Sequence, residues 1–278
     1  MTIWLVMTIW AVFLRKNQKD LTILINVLSV EKRHIPWIDE SDPLPPALSA
    51  CMDEASGMKG LVAAGGGLSV QRLLEAYSQG MFPWYSEGQP ILWWSPSPRM
   101  VLEVENFKLH RSLRKTLQKF VQMPSASVTF DTAFDRVIAH CSAFTRQGQK
   151  GTWILQDMVA AYQALHRAGF AHSVEAWIDG ELVGGLYCVS IGKAIFGESM
   201  FALQTDASKI ALCALVAFAK QHDIRWIDCQ QNTRHLASLG AHEIAQAVFL
   251  NEVAKAVTQT APAWEFLPLY WKNLISTP

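Results

Sequence analysis

Asp179-Gly180 stands between two runs rich in apolar and β-branched residues, Ser173 to Ile178 and Leu182 to Ser190. A two-residue hairpin turn needs positive φ, which Asp-Gly supplies at low steric cost, so the stretch is predicted as a β-hairpin. Ala194 to Gly197 continues the meander. Asp206 then precedes Ala207 to His222, a predicted helix with an N-capping residue. Arg225 to Gln230 returns as a strand. Upstream, Leu155 to Arg167 reads as a helix stopped by Gly169. Strands, then a helix, then a strand inserted back into the sheet imply an α/β or α+β layout, with functional side chains at strand ends.

Two of those strand ends are unusual. Trp226-Ile227-Asp228-Cys229-Gln230 and Gly197-Glu198-Ser199-Met200-Phe201 are short apolar runs that end in groups apolar runs normally exclude. Alternation along a strand puts Asp228 and Gln230 on one face and Ile227 and Cys229 on the other. Taken alone, an Asp-x-Gln is most often a turn cap beside a solvated amide. A carboxylate and an amide released together at buried strand ends are costly to desolvate and mark a candidate site. Glu198 is a second carboxylate in a similar place.

At 278 residues the chain has room for a full core and two domains. Half of it is hydrophobic and 17% is charged, which fits a globular protein. The formal net charge of zero argues against a general, charge-driven nucleic-acid binder, but leaves room for recognition of one small end of a nucleic acid. The five cysteines contain no Cys-x-x-Cys pair and read as reduced thiols, so a cytoplasmic location is expected. The eight histidines show no metal spacing, and no metal is expected. Ile3 to Leu14 is apolar but too short to span a bilayer, and lacks the flanks of a signal peptide. Residues 1–35 are taken as a loosely attached extension or the product of a start codon read too far upstream. No stable membrane association is expected.

Residues 36–60, rich in proline and acids, read as irregular. Gly65-Gly66-Gly67 is a sharp turn, and Ser69 caps a helix from Val70 to Ser78 that stops at Gly80. With no strand expected before them and no Gly-Lys-Ser/Thr, these glycines are not a phosphate loop. Phe82-Pro83-Trp84-Tyr85 reads as a loop, followed by Ile91 to Trp94, which Pro96, Pro98 and Arg99 end. Leu109 to Phe120 is predicted as an amphipathic helix, with Leu109, Leu113, Leu117 and Phe120 on one face. Arg111, Arg114, Lys115 and Lys119 lie opposite, and no acid occurs between Asn106 and Phe130. Such a face is often simply solvated; the missing acids tilt it towards phosphate.

The element order resembles the acetyltransferase-like fold. A small N-terminal domain (36–100) would precede a GNAT-like catalytic domain (101–278), a mixed sheet flanked by helices in an α+β class. Enzymes of that fold usually hold coenzyme A on a glycine-rich turn at a helix start. Here the segment is Phe201-Ala202-Leu203-Gln204-Thr205-Asp206-Ala207, which has no glycine and carries a negative charge. Coenzyme A is therefore disfavoured, and no cofactor is expected.

A denser resemblance runs from about Gly60 to Phe249. Gly80-Met81-Phe82-Pro83-Trp84, Ile91-Leu92-Trp93-Trp94-Ser95-Pro96 and Gly151-Thr152-Trp153-Ile154 begin it. Ala171-His172-Ser173-Val174-Glu175, Leu182-Val183-Gly184-Gly185-Leu186-Tyr187 and Gly197-Glu198-Ser199-Met200-Phe201 continue it. Ala207-Ser208-Lys209, Asp228-Cys229-Gln230 and His235-Leu236-Ala237-Ser238-Leu239-Gly240-Ala241 complete it. In number and order these segments resemble bacterial leucyl/phenylalanyl-tRNA–protein transferases. The resemblance implies transfer of Leu, Phe or Met from aminoacyl-tRNA to proteins that begin with Arg or Lys, creating a degradation signal. It implies Trp84 and Trp153 on the terminal adenine and Leu186, Met200 and Ile227 around the donor side chain. It implies tRNA phosphates on the basic helix face.

The chemistry of the residues fits that reaction. The donor ester is already activated, and an α-amine of pKa near 8 is partly neutral at physiological pH. The site must position two substrates, accept a proton and stabilise an oxyanion. Asp228, Gln230 and Glu198 are the expected catalytic residues, their individual roles left open, in a chain expected to act as a monomer. The sequence departs from the family pattern at Ala202-Leu203 and Ala245-Gln246, where Ser-Arg and Pro-Arg are usual, at Gly67 for Asp and at Cys188 for Gly. An acyl-CoA N-acetyltransferase and a non-catalytic tRNA- or degron-binding protein are the alternatives.

Overall fold

The computed structural model describes residues 35–143 and 154–275. Residues 1–34, with the apolar N-terminal run, and Trp153 lie outside the described residues.

Two sheets organise the chain. The smaller has the order β1-β2-β4-β3, built from β1 (Trp37–Ile38), β2 (Leu61–Gly65), β3 (Phe82–Pro83) and β4 (Leu92–Trp94). Beside it lies α1 (Val70–Ser78), started by the Ser69 side chain, which accepts a hydrogen bond from Arg72 N. The seven-stranded sheet has the order β11-β5-β10-β9-β8-β7-β6. Its strands are β5 (Arg99–Glu103), β6 (Ala126–Phe130), β7 (Ala171–Ile178), β8 (Glu181–Ile191), β9 (Ala194–Ala202), β10 (Trp226–Gln230) and β11 (His242–Ile244). The flanking helices are α2 (Arg111–Gln122), α3 (Phe134–Ala143), α4 (Gln156–Arg167), α5 (Ala207–Gln221), α6 (Arg234–Ser238), α7 (Gln246–Ala256) and α8 (Lys272–Ile275). A mixed sheet flanked by helices is the α+β class read from the sequence.

Local chemistry explains the frame. Asp179 and Gly180 take φ of 54° and 78° and join β7 to β8 as a hairpin. β9 and β10 are parallel, so a crossover must join them, and α5 is that crossover. Every α5 residue from Ile210 to Ala219 is buried, as its all-round apolar sequence requires. One face of the large sheet packs with α1, α3 and α4 in a cluster that includes Tyr77, Trp93, Tyr162, Tyr187 and Phe196. The other face packs on α5 and α2, with Leu113, Leu117, Leu186, Ile195 and Ile227.

Some expectations from sequence need correction. A strand, β2, does precede Gly65-Gly66-Gly67; its two alanines and short length hid it. Phe82-Pro83 is a strand rather than loop, and the proline is tolerated because β3 is an edge. The basic helix begins at Arg111, two residues later than read. β5, placed directly after two prolines, was not anticipated.

Gln246 has a specific structural job. It is buried, and its Nε2 donates to Ser95 O at 2.8 Å, Ser95 Oγ at 2.9 Å and Ala47 O at 3.2 Å. It thus ties α7 to the segments that flank the small sheet. Gln246→Ala leaves buried acceptors without a donor, and is expected to cost about 1–3 kcal/mol in denaturant unfolding. A loss below about 0.5 kcal/mol would mean that water replaces the amide.

Candidate active site

β9 and β10 pair only at Ile227 with Ile195 and Asp228 with Phe196. Two residues beyond that last pair stand Gln230 and Glu198, each set by an irregularity in its own strand. Between β8 and β9, Tyr187 faces Ser199 and Cys188 faces Gly197, so Glu198 is the extra residue of a bulge. Between β5 and β10, Val101 faces Asp228 and Met100 faces Gln230, so Cys229 is extra, and Gln230 has φ of 61°. Bulges re-aim side chains and end pairing. Plain alternation is therefore not what places Gln230; the bulge is, because the inserted Cys229 resets the strand's phase.

The result is a direct contact: Gln230 Nε2 donates to Glu198 Oε1 at 2.9 Å. Tyr77 OH donates to the same oxygen at 2.8 Å, and Tyr162 OH lies 3.1 Å from Oε2. Asp228 joins this group from behind. It is 3% exposed, beside an Arg99 that is fully buried. Arg99 Nε donates to Asp228 Oδ1 at 2.8 Å and Nη2 to Oδ2 at 2.6 Å, a two-pronged pair. Oδ1 also accepts the Gln230 backbone N–H at 2.9 Å. Asp228 and Gln230 therefore connect through the backbone: the carboxylate fixes the strained residue whose amide reaches Glu198.

Burial pushes the Glu198 carboxyl up to about 7, against the opposing hydrogen bonds of Tyr77 and Tyr162. Tyr77 and Tyr162 are themselves raised well above the usual phenol range, first by burial and then by the Glu198 charge, so they remain donors. Burial also pushes the Cys229 thiol up, which keeps it from acting as a thiolate nucleophile. Among the described residues no group of three or more His, Cys, Asp or Glu is placed to hold a metal ion. What the arrangement offers is a fixed amide and a carboxyl that titrates near neutrality, suited to a nucleophile brought by a substrate.

The other sequence-derived residues fall as follows. Trp84 is half-buried against the cluster that holds Tyr77 and Tyr162; its ring lies 5.8 Å from that of Trp94, and its carbonyl accepts the Trp94 indole N–H at 2.6 Å. Leu186 and Met200 are register partners, and with Ile227 they belong to the cluster on the α5 face. Arg111, Lys115 and Lys119 are exposed on α2, whereas Arg114 is half-buried and its Nη1 donates to Ile275 O at 3.3 Å. The approach to α2 is tied to the chain beyond β10: Lys108 N donates to Leu239 O at 2.8 Å, and His110 Nε2 lies 2.6 Å from Ser238 O. Arg99, Tyr77 and Tyr162 were missed from sequence. Arg99 carried a usable signal, a charge opening the apolar run Met100-Val101-Leu102. The tyrosines look like ordinary buried helix residues.

At the start of α5, the segment considered from the sequence as a possible coenzyme A turn, Leu203 N and Gln204 N both turn to Val183 O, and Ala207 N turns to Gln204 O. Asp206 holds φ of 63° and pairs with Lys209 at 2.6 Å. Amides already engaged and a carboxylate at the helix start do not make a pyrophosphate cradle.

Comparison with known proteins gives a consistent result. The family profile for leucyl/phenylalanyl-tRNA protein transferase matches residues 101–254, and the profile for its N-terminal domain matches 66–97. A leucyl/phenylalanyl-tRNA–protein transferase of Polaromonas sp. (strain JS666) is 57% identical over 244 residues, 88% of this chain and 95% of that protein. One from Albidiferax ferrireducens is 54% identical over 249 residues, 90% of this chain and 98% of that protein. Among solved structures, a GCN5-related N-acetyltransferase from Kribbella flavida overlaps at a TM-score of 0.30 and 10% identity, covering 62% of this chain and 60% of that one. The chain is an aminoacyltransferase, an enzyme that moves an aminoacyl group from tRNA to protein. It belongs to the leucyl/phenylalanyl-tRNA–protein transferase family.

Proposed function

We propose that the enzyme transfers Leu, Phe or Met from aminoacyl-tRNA to the α-amine of proteins that begin with Arg or Lys, marking them for degradation. The observation that carries this reading is the Gln230–Glu198 contact, where β9 and β10 stop pairing and a buried Arg99–Asp228 pair holds Gln230 in place. Gln230 accepts a hydrogen bond from the attacking amine through its carbonyl, Asp228 fixes it, and Glu198 orients the amines that enter. Trp84 and Trp153 take the terminal adenine of the tRNA by stacking. Leu186, Met200 and Ile227 form the wall that selects the donor side chain, Met200 repacking around donors of different shape. Arg111, Arg114, Lys115 and Lys119 meet acceptor-stem phosphates without reading sequence. Residues 36–100 act as a small N-terminal domain and 101–278 as the catalytic one, in a monomeric cytoplasmic enzyme. Among the described residues no helix is long and apolar enough to cross a membrane.

The test is transfer of labelled Leu, Phe and Met from charged tRNA to peptides starting with Arg, Lys or Ala. Product is expected with Arg and Lys and not with Ala. Equal product on all three peptides would remove the acceptor preference, and no product with any donor would remove the reading itself.

A further inference from the structure

Three oxygen–oxygen contacts close a ring around Glu198. Tyr77 OH is 2.8 Å from Oε1, Tyr162 OH is 3.1 Å from Oε2, and the two hydroxyls are 2.5 Å from each other. Each phenol owns one proton, and an ionised carboxylate owns none. Two protons cannot serve three contacts, so an ionised Glu198 leaves one pair of oxygens facing each other with nothing between them. Both tyrosines are buried, so that gap is costly. A third proton on Oε2 completes the ring in one sense: Glu198 donates to Tyr162, Tyr162 to Tyr77, and Tyr77 back to Oε1. Gln230 Nε2 also donates to Oε1, the oxygen left as acceptor in that arrangement. The geometry is that of a site that holds one exchangeable proton.

We infer that Glu198, closed into a ring with Tyr77 and Tyr162, takes the proton from the attacking amine and returns it to the leaving ribose oxygen. This rests on the transferase reading and assigns one of its steps. The acceptor nitrogen bonds to the ester carbonyl carbon and becomes positively charged. It then loses a proton to the Glu198 carboxylate. The carbon–oxygen bond to the ribose breaks, the oxygen leaves with the electron pair, and the ring's proton goes to it. The ring ends as it began, and no further reactant is needed. Gln230, an amide, is too weak a base for this step.

Several charges and titrating groups face the ring. Tyr187 of β8 packs its ring edge-on to that of Tyr162 at 5.4 Å, and Cys188 of β8, Asp228 of β10 and Arg99 of β5 interact electrostatically with Glu198. Burial raises Glu198 most, Asp228 raises it further, and the two phenols and Arg99 lower it, leaving it near 7. The active form is the ionised one, so transfer is expected to rise with pH through about 7 and then level off. The acceptor amine adds its own limb near 8, which no enzyme substitution moves.

The experiment is the pH profile of single-turnover transfer, at saturating acceptor, for the wild type, Tyr77→Phe, Tyr162→Phe and Glu198→Gln. As separate donors the phenols favour the carboxylate, but together they leave one contact without a proton when Glu198 is ionised. Losing either phenol removes that bare contact, so the ring requires the lower limb to move to lower pH by roughly one unit. A move to higher pH would mean that the phenols act only as donors, and would overturn the ring. Glu198→Gln should abolish that limb and slow transfer by about 100-fold or more. Phenols with only a packing role would change the plateau and not the midpoint. Infrared difference spectra of the wild type give a second reading that needs no tyrosine variant. A protonated-carboxyl band should vanish between about pH 6 and 8, and be missing from Glu198→Gln. Wild-type transfer with one midpoint shared by all four proteins, or no such band, would overturn the ring's role alone. A wild type that transfers nothing would overturn the transferase reading beneath it.

Discussion

Arg99→Met is expected to destabilise the folded state by about 3–5 kcal/mol, the scale of removing one partner from a buried ion pair. Arg99 is fully buried, and both Asp228 oxygens rely on it. Its Nη1 also donates to Gly80 O at 3.2 Å, and its guanidinium lies over the rings of Phe249 and Phe82 at 4.5 and 4.9 Å. One side chain thus joins β5, β10, α7 and the turn after α1. The loss should appear as a fall in melting temperature on the order of 10 °C. Arg99→Lys keeps the charge and loses the fork, and should fall in between. The double variant Arg99→Met/Asp228→Leu removes both charges together and should recover much of the stability. It should not recover transfer, because Gln230 would no longer be held by Asp228. A double variant as unstable as the single one would show that the ring contacts and the Gly80 bond, not the buried charge, are what Arg99 supplies.

Much of this was legible in the sequence, for identifiable reasons. The Asp179-Gly180 hairpin, the α5 crossover and the return of β10 announce themselves through turn chemistry and apolar pattern, which are local. Asp228, Gln230 and Glu198 stand out because polar groups at the ends of apolar strands are costly there. What stayed hidden depends on register. Nothing local says that Cys229 and Glu198 are bulged residues, since a bulge exists only relative to a partner strand. For the same reason Arg99 and Asp228, 129 positions apart, cannot be paired by inspection. Tyr77 and Tyr162 come from separate helices, 85 positions apart, and meet only when the small sheet docks on the large one. The Ala245-Gln246 departure shows the opposite case. A difference that looks like a lost arginine is, in this chain, a buried amide bridge to Ser95 and Ala47.

The second large effect belongs to Gln230 and Glu198. Their side chains touch, and both lie where β9 and β10 stop pairing. Gln230→Ala removes the amide while Asp228 keeps its salt bridge. Glu198→Gln keeps the shape, removes the titrating oxygen and sets two amides against each other. Each is expected to slow transfer by about 100-fold, roughly 2.7 kcal/mol of barrier. On the proposed reading both side chains act on the reacting centre while the basic face of α2 holds the tRNA, so tRNA affinity should change by less than about threefold. Residues that act as one unit give non-additive losses.

The most direct test of the site is therefore a double-mutant cycle on Gln230→Ala and Glu198→Gln. It is read by single-turnover transfer from leucyl- or phenylalanyl-tRNA to an Arg-starting peptide, with tRNA binding measured alongside. The expected result is a double variant little slower than the worse single one, with tRNA binding nearly intact in all three. Losses that simply multiply, that stay below about tenfold, or that follow the loss of tRNA binding would contradict a joint catalytic role for this pair.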